Sequence, residues 1–310
     1  MKLVTSTGDY GWYVPSIADE IAAFAGGKFK YINLEQSASN EEFFTDTDDW
    51  KRLAETWAAA AEKAGVRFAV SHAPCLHKPI FDDDETYRRN IRALCRSIEI
   101  SAMLGIERTV VHACSMEDIS QSDFFQYNVR FYNDLLPTAE KTGVIIMTEN
   151  WDVDYSHIST AKQMRELIDH IDHPLFAACW DTAHGNISPM AKELGQYENI
   201  VTLGDKLKGL HIADNFGDSH HHTWPFAGTI NFDSVLQGLV DVHYDGCFTF
   251  EASYSLRHSR NMPYKRLPFV HNGETVTKLL DPSLALKQKA VDLLYETGRY
   301  LLETYGLYEE

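Results

Sequence analysis

Eight short runs of β-branched or apolar residues recur along the chain: "KLVTST" (2–7), "KYINLEQ" (30–36), "RFAVSHAP" (67–74), "RTVVHACS" (108–115), "VIIMTENW" (144–151), "LFAACWDTAH" (175–184), "LKGLHIADN" (207–215) and "CFTFEASY" (247–254). Each is separated from the next by roughly 30–40 residues, room for one helix and two turns, which is the period of parallel βα units. Helical patterns fill the gaps. "DWKRLAETWAAAAEKAG" (49–65) and "DETYRRNIRALCRSIEISAMLG" (84–105) carry apolar residues at helical spacing and stop at Gly65 and Gly105. Others fall near 120–141, 159–170, 189–199, 231–243 and 282–305. Eight such units predict an α/β fold, a (β/α)8 TIM barrel. A doubly wound open sheet is the alternative, but "TSTGDYG" after the first run lacks the G-x-G-x-x-G pattern. No linker or low-complexity stretch interrupts the 310 residues, so they read as one barrel domain, 1–310, with a long insertion at 255–281 after the eighth strand. That insertion holds Arg257, His258, Arg260, Lys265 and Arg266. It is expected either to grip a phosphate or carboxylate or to be a solvated loop folding over a neighbouring subunit.

Polar residues cluster at the strand ends. Strand three ends in His72, strand four in His112, strand five in Glu149, strand six in Asp181 and His184, strand seven in His211 and Asp214, and strand eight in Glu251. In a barrel these ends converge on one mouth, where active sites of the fold sit. Any one of them has an ordinary reading: a histidine satisfied by a carbonyl, an aspartate capping the next helix. The glutamates of "IIMTEN" and "FTFEAS" are harder to explain, since each follows apolar residues with no lysine or arginine adjacent. Several acids at one mouth repel one another and resist ionisation. A divalent cation resolves both problems, so a metal site is expected there.

The net charge of −17 opposes binding to nucleic-acid phosphates. No apolar run is long enough for a membrane span or a signal peptide, so the expectation is a cytoplasmic protein with no membrane contact. Cys75, Cys95, Cys114, Cys179 and Cys247 are scattered, odd in number and without a CxxC pair, and read as reduced.

The set "TEN", "WDTAH", "LHIADN" and "FTFEAS", in this order, resembles the xylose-isomerase-like superfamily of sugar-phosphate isomerases and epimerases, over roughly residues 1–255. The resemblance implies one divalent metal held by Glu149, Asp181, His211 and Glu251. Such oxygen-rich ligands favour Mn²⁺ or Mg²⁺, with Co²⁺ or Zn²⁺ as alternatives. It also implies a sugar or sugar-like small-molecule substrate, an enediolate formed by removing the proton beside a carbonyl, and Glu149 and Glu251 as the two bases on opposite faces. The family stretch H-x-x-P-G-x-G-x-I-D-F reads "HTWPFAGTINF" (222–232): His222 and Pro225 match, while Phe226 replaces a glycine and Asn231 the aspartate.

Substrate contacts are expected from His184, His72, His112 and His222, from aromatic faces at Trp12 and Trp151 (with Tyr10, Tyr13 and Trp224 nearby), and from Arg257. Capping remains the alternative for His184, and a purely structural role for His72 and His112. A lyase acting on a keto-cyclitol or C-glycoside would begin with the same proton abstraction. The apurinic-site DNA endonucleases of the same superfamily use three zinc ions and histidines placed like His72, His112 and His184. Their D-x-H motif is represented by Asp218–Ser219–His220 or by His220-x-His222. A non-catalytic sugar-binding or partner subunit is the remaining class. Barrels of this kind are commonly homo-oligomers, and that is the expectation here.

Overall fold

The computed structural model describes residues 1–76, 81, 83–151, 156–256, 269–276 and 281–310. Strands β1 (Leu3–Ser6), β2 (Tyr31–Glu35), β3 (Arg67–His72), β4 (Arg108–Val110), β5 (Ile145–Glu149), β6 (Phe176–Asp181), β7 (Leu207–His211) and β8 (Phe248–Phe250) form one parallel sheet in the order β7-β6-β5-β4-β3-β2-β1-β8. Ile212, just past β7, closes it against β8: its N–H donates to the Thr249 carbonyl at 2.8 Å, and its own carbonyl accepts from Glu251 N–H at 3.1 Å. The sheet is therefore a barrel, as the eight-fold period predicts.

Helices α1 (Ile17–Ala22), α2 (Lys51–Ala64), α3 (Asp84–Met103), α4 (Gln121–Thr142), α5 (Ala161–Ile171), α6 (Thr182–Ile187), α7 (Pro189–Leu194), α8 (Gln196–Leu203), α9 (Phe232–Asp241) and α10 (Leu284–Thr304) complete the fold. Their ends follow local chemistry. Ser120 caps α4 through Asp123 N–H, and Thr160 with Gln163 forms a capping box on α5. Gly65 and Gly143 end α2 and α4 in the left-handed region.

Three expectations are corrected. The run 175–184 stops being a strand at Asp181, because that side chain caps α6 and residues 182–184 are already helical. The pattern at 189–199 is two helices, broken at Gly195 with φ 84°. Within 255–281 lies a hairpin, β9 (Phe269–His271) with β10 (Glu274–Val276), turned by Asn272 and Gly273, both at positive φ as a two-residue turn requires. Arg257, His258, Arg260, Lys265 and Arg266 lie outside the described residues. All five cysteines are free, and no described helix is long and apolar enough to cross a membrane.

Helix α10 locks onto the barrel by a buried ion pair. Lys287, fully buried, donates to the Ser253 carbonyl at 2.8 Å and lies 3.4 Å from Asp9 Oδ1. Thr5 Oγ1 donates to the other Asp9 oxygen at 2.5 Å. Removing one partner leaves a buried charge uncompensated. Lys287→Ala is therefore expected to cost about 3–5 kcal/mol of unfolding free energy, with most of it regained in Lys287→Met combined with Asp9→Asn. Urea denaturation of the three proteins checks this; a single variant within about 1 kcal/mol of wild type would show that the pair is dispensable.

Candidate metal centre

Glu149, Asp181, His211 and Glu251 come from the ends of β5, β6, β7 and the residue after β8, and each offers a ligand atom within 4.8 Å of the others. Parallel registry brings them level: Glu149 pairs with Cys179 and Asp181 with His211. Glu149, Asp181 and His211 are buried, while Glu251 is partly exposed. His211 Nδ1 lies 2.9 Å from Glu149 Oε1 and 2.8 Å from Glu251 Oε2. One ring nitrogen thus faces two carboxylates and has at most one proton to share between them.

Asp181 divides its work. Oδ1 accepts from His184 N–H at 2.6 Å, whereas Oδ2 is buried and has no hydrogen-bond partner among the described residues. A buried carboxylate oxygen left without a partner is costly. Burial pushes the Asp181 carboxyl above its usual range. It works against ionisation of Glu149 too, but His211, His112 and His184 together outweigh it and hold Glu149 well below that range. His211 is in turn raised well above an ordinary histidine, against its own burial, chiefly by Cys179 and the two glutamates. An orphaned oxygen and a donor set of three carboxylates with one imidazole suit a divalent, oxygen-seeking cation.

The other predicted histidines gather around this centre. His72 Nε2 and His112 Nε2 are 3.0 Å apart, and His112 Nε2 is 3.0 Å from Glu149 Oε2. Cys75 joins these two histidines as a further set of possible ligands, and His184, His220 and His222 form another. Three of the rings are fixed by backbone carbonyls: His72 Nδ1 on Ala73 at 2.7 Å, His184 Nδ1 on Asn150 at 2.9 Å and His222 Nδ1 on Glu251 at 2.7 Å. A proton committed at Nδ1 leaves Nε2 as a lone pair, the arrangement that orients metal-binding histidines. Trp12 stands on the wall of a cavity of about 520 Å³ that His72, His222 and Glu251 also line. Trp151 instead packs edge-on against His112, ring centroids 4.8 Å apart. Arg257 is outside the described residues.

Glu20, Glu35, Gln36 and Cys75 line the cavity without having been placed at the site by the sequence, and His220, read there only through the D-x-H motif, joins His184 and His222 as a possible ligand. Glu35 is the last residue of β2, in register with His72. The strand-end rule that finds His72 also finds Glu35 once it is applied one strand earlier. Glu20 sits on α1, a six-residue helix too short to leave a clear periodic signal.

Several known proteins share features with this chain. It is 24% identical over 176 residues, 54% of its length, to a probable endonuclease 4 of Methanoculleus marisnigri. The curated relatives it matches are covered over only 52 to 63% of their own lengths. Its fold is similar to a D-psicose 3-epimerase from Clostridium cellulolyticum H10 crystallised with D-tagatose, at TM-score 0.71 and 17% identity, covering 97% of this chain and 99% of the other. It is equally similar to the IOLI protein with a bound zinc atom, at TM-score 0.70 and 18% identity over 98% and 99% of the two chains. Residues 21–267 match the model of the xylose isomerase-like TIM barrel, and to that family the chain belongs.

Proposed function

We propose that this chain is a sugar isomerase or epimerase that depends on one divalent cation, Mn²⁺ in the first instance, with Mg²⁺, Co²⁺ or Zn²⁺ as alternatives. The observation that carries the reading is the meeting of Glu149, Asp181, His211 and Glu251 within 4.8 Å, beside a cavity of sugar size that Glu251, His72 and His222 also line. These four residues would hold the cation. When bound, it supplies Lewis acidity to a carbonyl and so acidifies the neighbouring C–H.

The chain's own residues do the rest. Glu149 and Glu251 reach the same His211 nitrogen from β5 and from beyond β8, so a carbon seated between them has a carboxylate on each side. One removes the proton and the other returns it, inverting the carbon; delivery by the same base at the neighbouring atom isomerises instead. Both glutamates are held ionised by His211, which is the state a base needs. His72, His184 and His222, each fixed through Nδ1, would present Nε2 to substrate hydroxyls. Trp12 would stack on the C–H face of the sugar. The fold shared with the D-psicose 3-epimerase agrees with this reading.

The test is incubation of the Mn²⁺-loaded protein in D₂O with D-fructose, D-tagatose, D-allulose, inososes and 3-keto-glycosides, followed by mass spectrometry. Incorporation of one deuterium with an otherwise unchanged formula is expected. Loss of water or of an aglycone would make the chain a lyase, and no incorporation into any of them would overturn the proposal.

A second reading is favoured by the two flanking groups, His72–Cys75–His112 and His184–His220–His222. With the central four they offer places for three metals, and a probable endonuclease 4 is among the relatives. Metal analysis with anomalous diffraction decides between the two. One ion per chain is expected; three ions, together with cleavage of an abasic duplex, would make the chain a DNA-repair hydrolase.

A further inference from the structure

The cavity has a second polar wall, built by β1, β2 and α1, that the metal centre does not use. Glu35, at the end of β2, accepts from Ser6 Oγ at 2.6 Å, and its backbone N–H donates to Thr7 Oγ1 at 3.0 Å. Thr7 also bonds Glu20, on α1. Two glycines make room for these acids. A Cβ at Gly8 would lie 2.1 Å from Glu35 Oε2, and one at Gly11 would lie 3.2 Å from Glu20 Oε1. Beside them is Gln36, 3% exposed. Its amide nitrogen donates to the Ser97 carbonyl at 3.2 Å and lies 3.3 Å from Ser101 Oγ, while its Oε1 has no partner among the described residues. All three side chains belong to residues lining the same cavity as Glu251 and His72, and the described lining contains no lysine or arginine.

We propose that Glu20, Glu35 and Gln36 form the subsite for the part of the substrate remote from the metal, and that this part is an uncharged polyol rather than a phosphate or carboxylate. The inference deepens the sugar-converting reading and rests on it. Two carboxyl groups, with lone pairs beyond those taken by Ser6 and Thr7, and an orphaned amide oxygen are acceptors that hydroxyl groups can fill. An anionic end group would face the negative charge left on this acidic pair, with no cation of the described wall to offset it. The like-charge contact alone is worth about tenfold or more in affinity.

Burial, then the neighbouring Glu35, and to a lesser degree Asp19 push the Glu20 carboxyl up to about 8, against the Thr7 hydrogen bond. Glu20 can therefore donate one hydrogen bond at neutral pH beside the acceptor oxygens of Glu35, the complement of a vicinal diol.

The experiment measures binding of D-fructose and of D-fructose 6-phosphate to the full chain loaded with Mg²⁺, by saturation-transfer NMR. The wild type, Glu20→Lys and Glu35→Gln are compared, each checked by circular dichroism. Wild type is expected to prefer the free sugar by about tenfold or more. Glu20→Lys should erase or reverse that preference, and Glu35→Gln should narrow it even if the lysine variant does not fold. Equal, absent or phosphate-favouring binding in wild type overturns the proposal, as does a preference unchanged in Glu35→Gln. Deuterium exchange in the same samples keeps the two readings apart. Preference without exchange fails only the sugar-converting reading, and exchange without preference fails only the subsite.

Discussion

Glu251→Gln, loaded with Mn²⁺ to the wild-type content, is expected to epimerise its sugar roughly 10²–10⁴-fold more slowly than wild type, the range a positioned base contributes. Glu149→Gln should do the same. Each substitution keeps the shape and one hydrogen-bonding oxygen but removes the lone-pair basicity that takes the proton. The two variants are not expected to be alike in detail. Glu149 is 1% exposed in its side chain and is gripped by His112 as well as His211, whereas Glu251 is 21% exposed and faces the cavity. Glu251→Gln should leave the fold almost untouched, while Glu149→Gln also loosens the histidines packed on it and should lower the melting temperature. With two bases on two faces, each variant should still exchange the proton of one epimer and fail with the other. Exchange measured from both epimers in D₂O reads this directly. Epimerisation within about tenfold of wild type in either variant would place the base elsewhere.

Why so much of this was legible before the structure lies in the geometry of parallel barrels. Strand ends share one mouth, so a polar residue closing an apolar run has a known destination. The strand count placed Glu149, Asp181, His211 and Glu251 at that mouth along with His72, His112, His184 and Asp214, and it was the family resemblance that singled out those four as one ligand set. What was hidden depended on loops and short elements. Asp181 ends its strand by capping α6, a switch that small residues such as Thr182, Ala183 and Gly185 do not announce. The triplet at 220–222 lies in an irregular loop whose return is tied down by Asp214, which pairs with Thr223 through its backbone. The Asp214 side chain accepts from Gly228 N–H at 2.9 Å and Ile230 N–H at 3.1 Å, contacts that no periodicity encodes. Only in three dimensions do His220 and His222 separate from His221, which turns to Ser219.

Removing the proposed cation should reveal how the acids are held apart without it. A ligand present at about a thousand times its dissociation constant stabilises the native state by about 4 kcal/mol. At about 2–4 °C per kcal/mol for a chain of this size class, dialysis against a chelator should lower the melting temperature by about 8–16 °C. The loss should depend on pH, and its sign follows from His211. In the stripped protein the imidazolium of His211 balances Glu149 and Glu251, and its raised pKa means that this contribution is complete below the ordinary histidine pKa and fades as pH rises through the higher folded value. The depressed glutamates contribute in the opposite sense, fully above the usual carboxylate pKa and less as pH falls below it. The stripped protein should therefore weaken from neutral pH upwards, while the loaded one, whose cation replaces the His211 proton, holds its stability. The gap in melting temperature should widen with pH, and calorimetry in buffers of different ionisation enthalpy should detect proton release on Mn²⁺ binding. Asp181→Asn tests the same balance from the other side. It removes a buried charge whose Oδ2 has no partner, so the stripped variant should be no less stable than stripped wild type, yet gain far less from the metal. If chelation left the melting temperature of wild type unchanged at every pH, the four side chains would be balancing one another by protons alone.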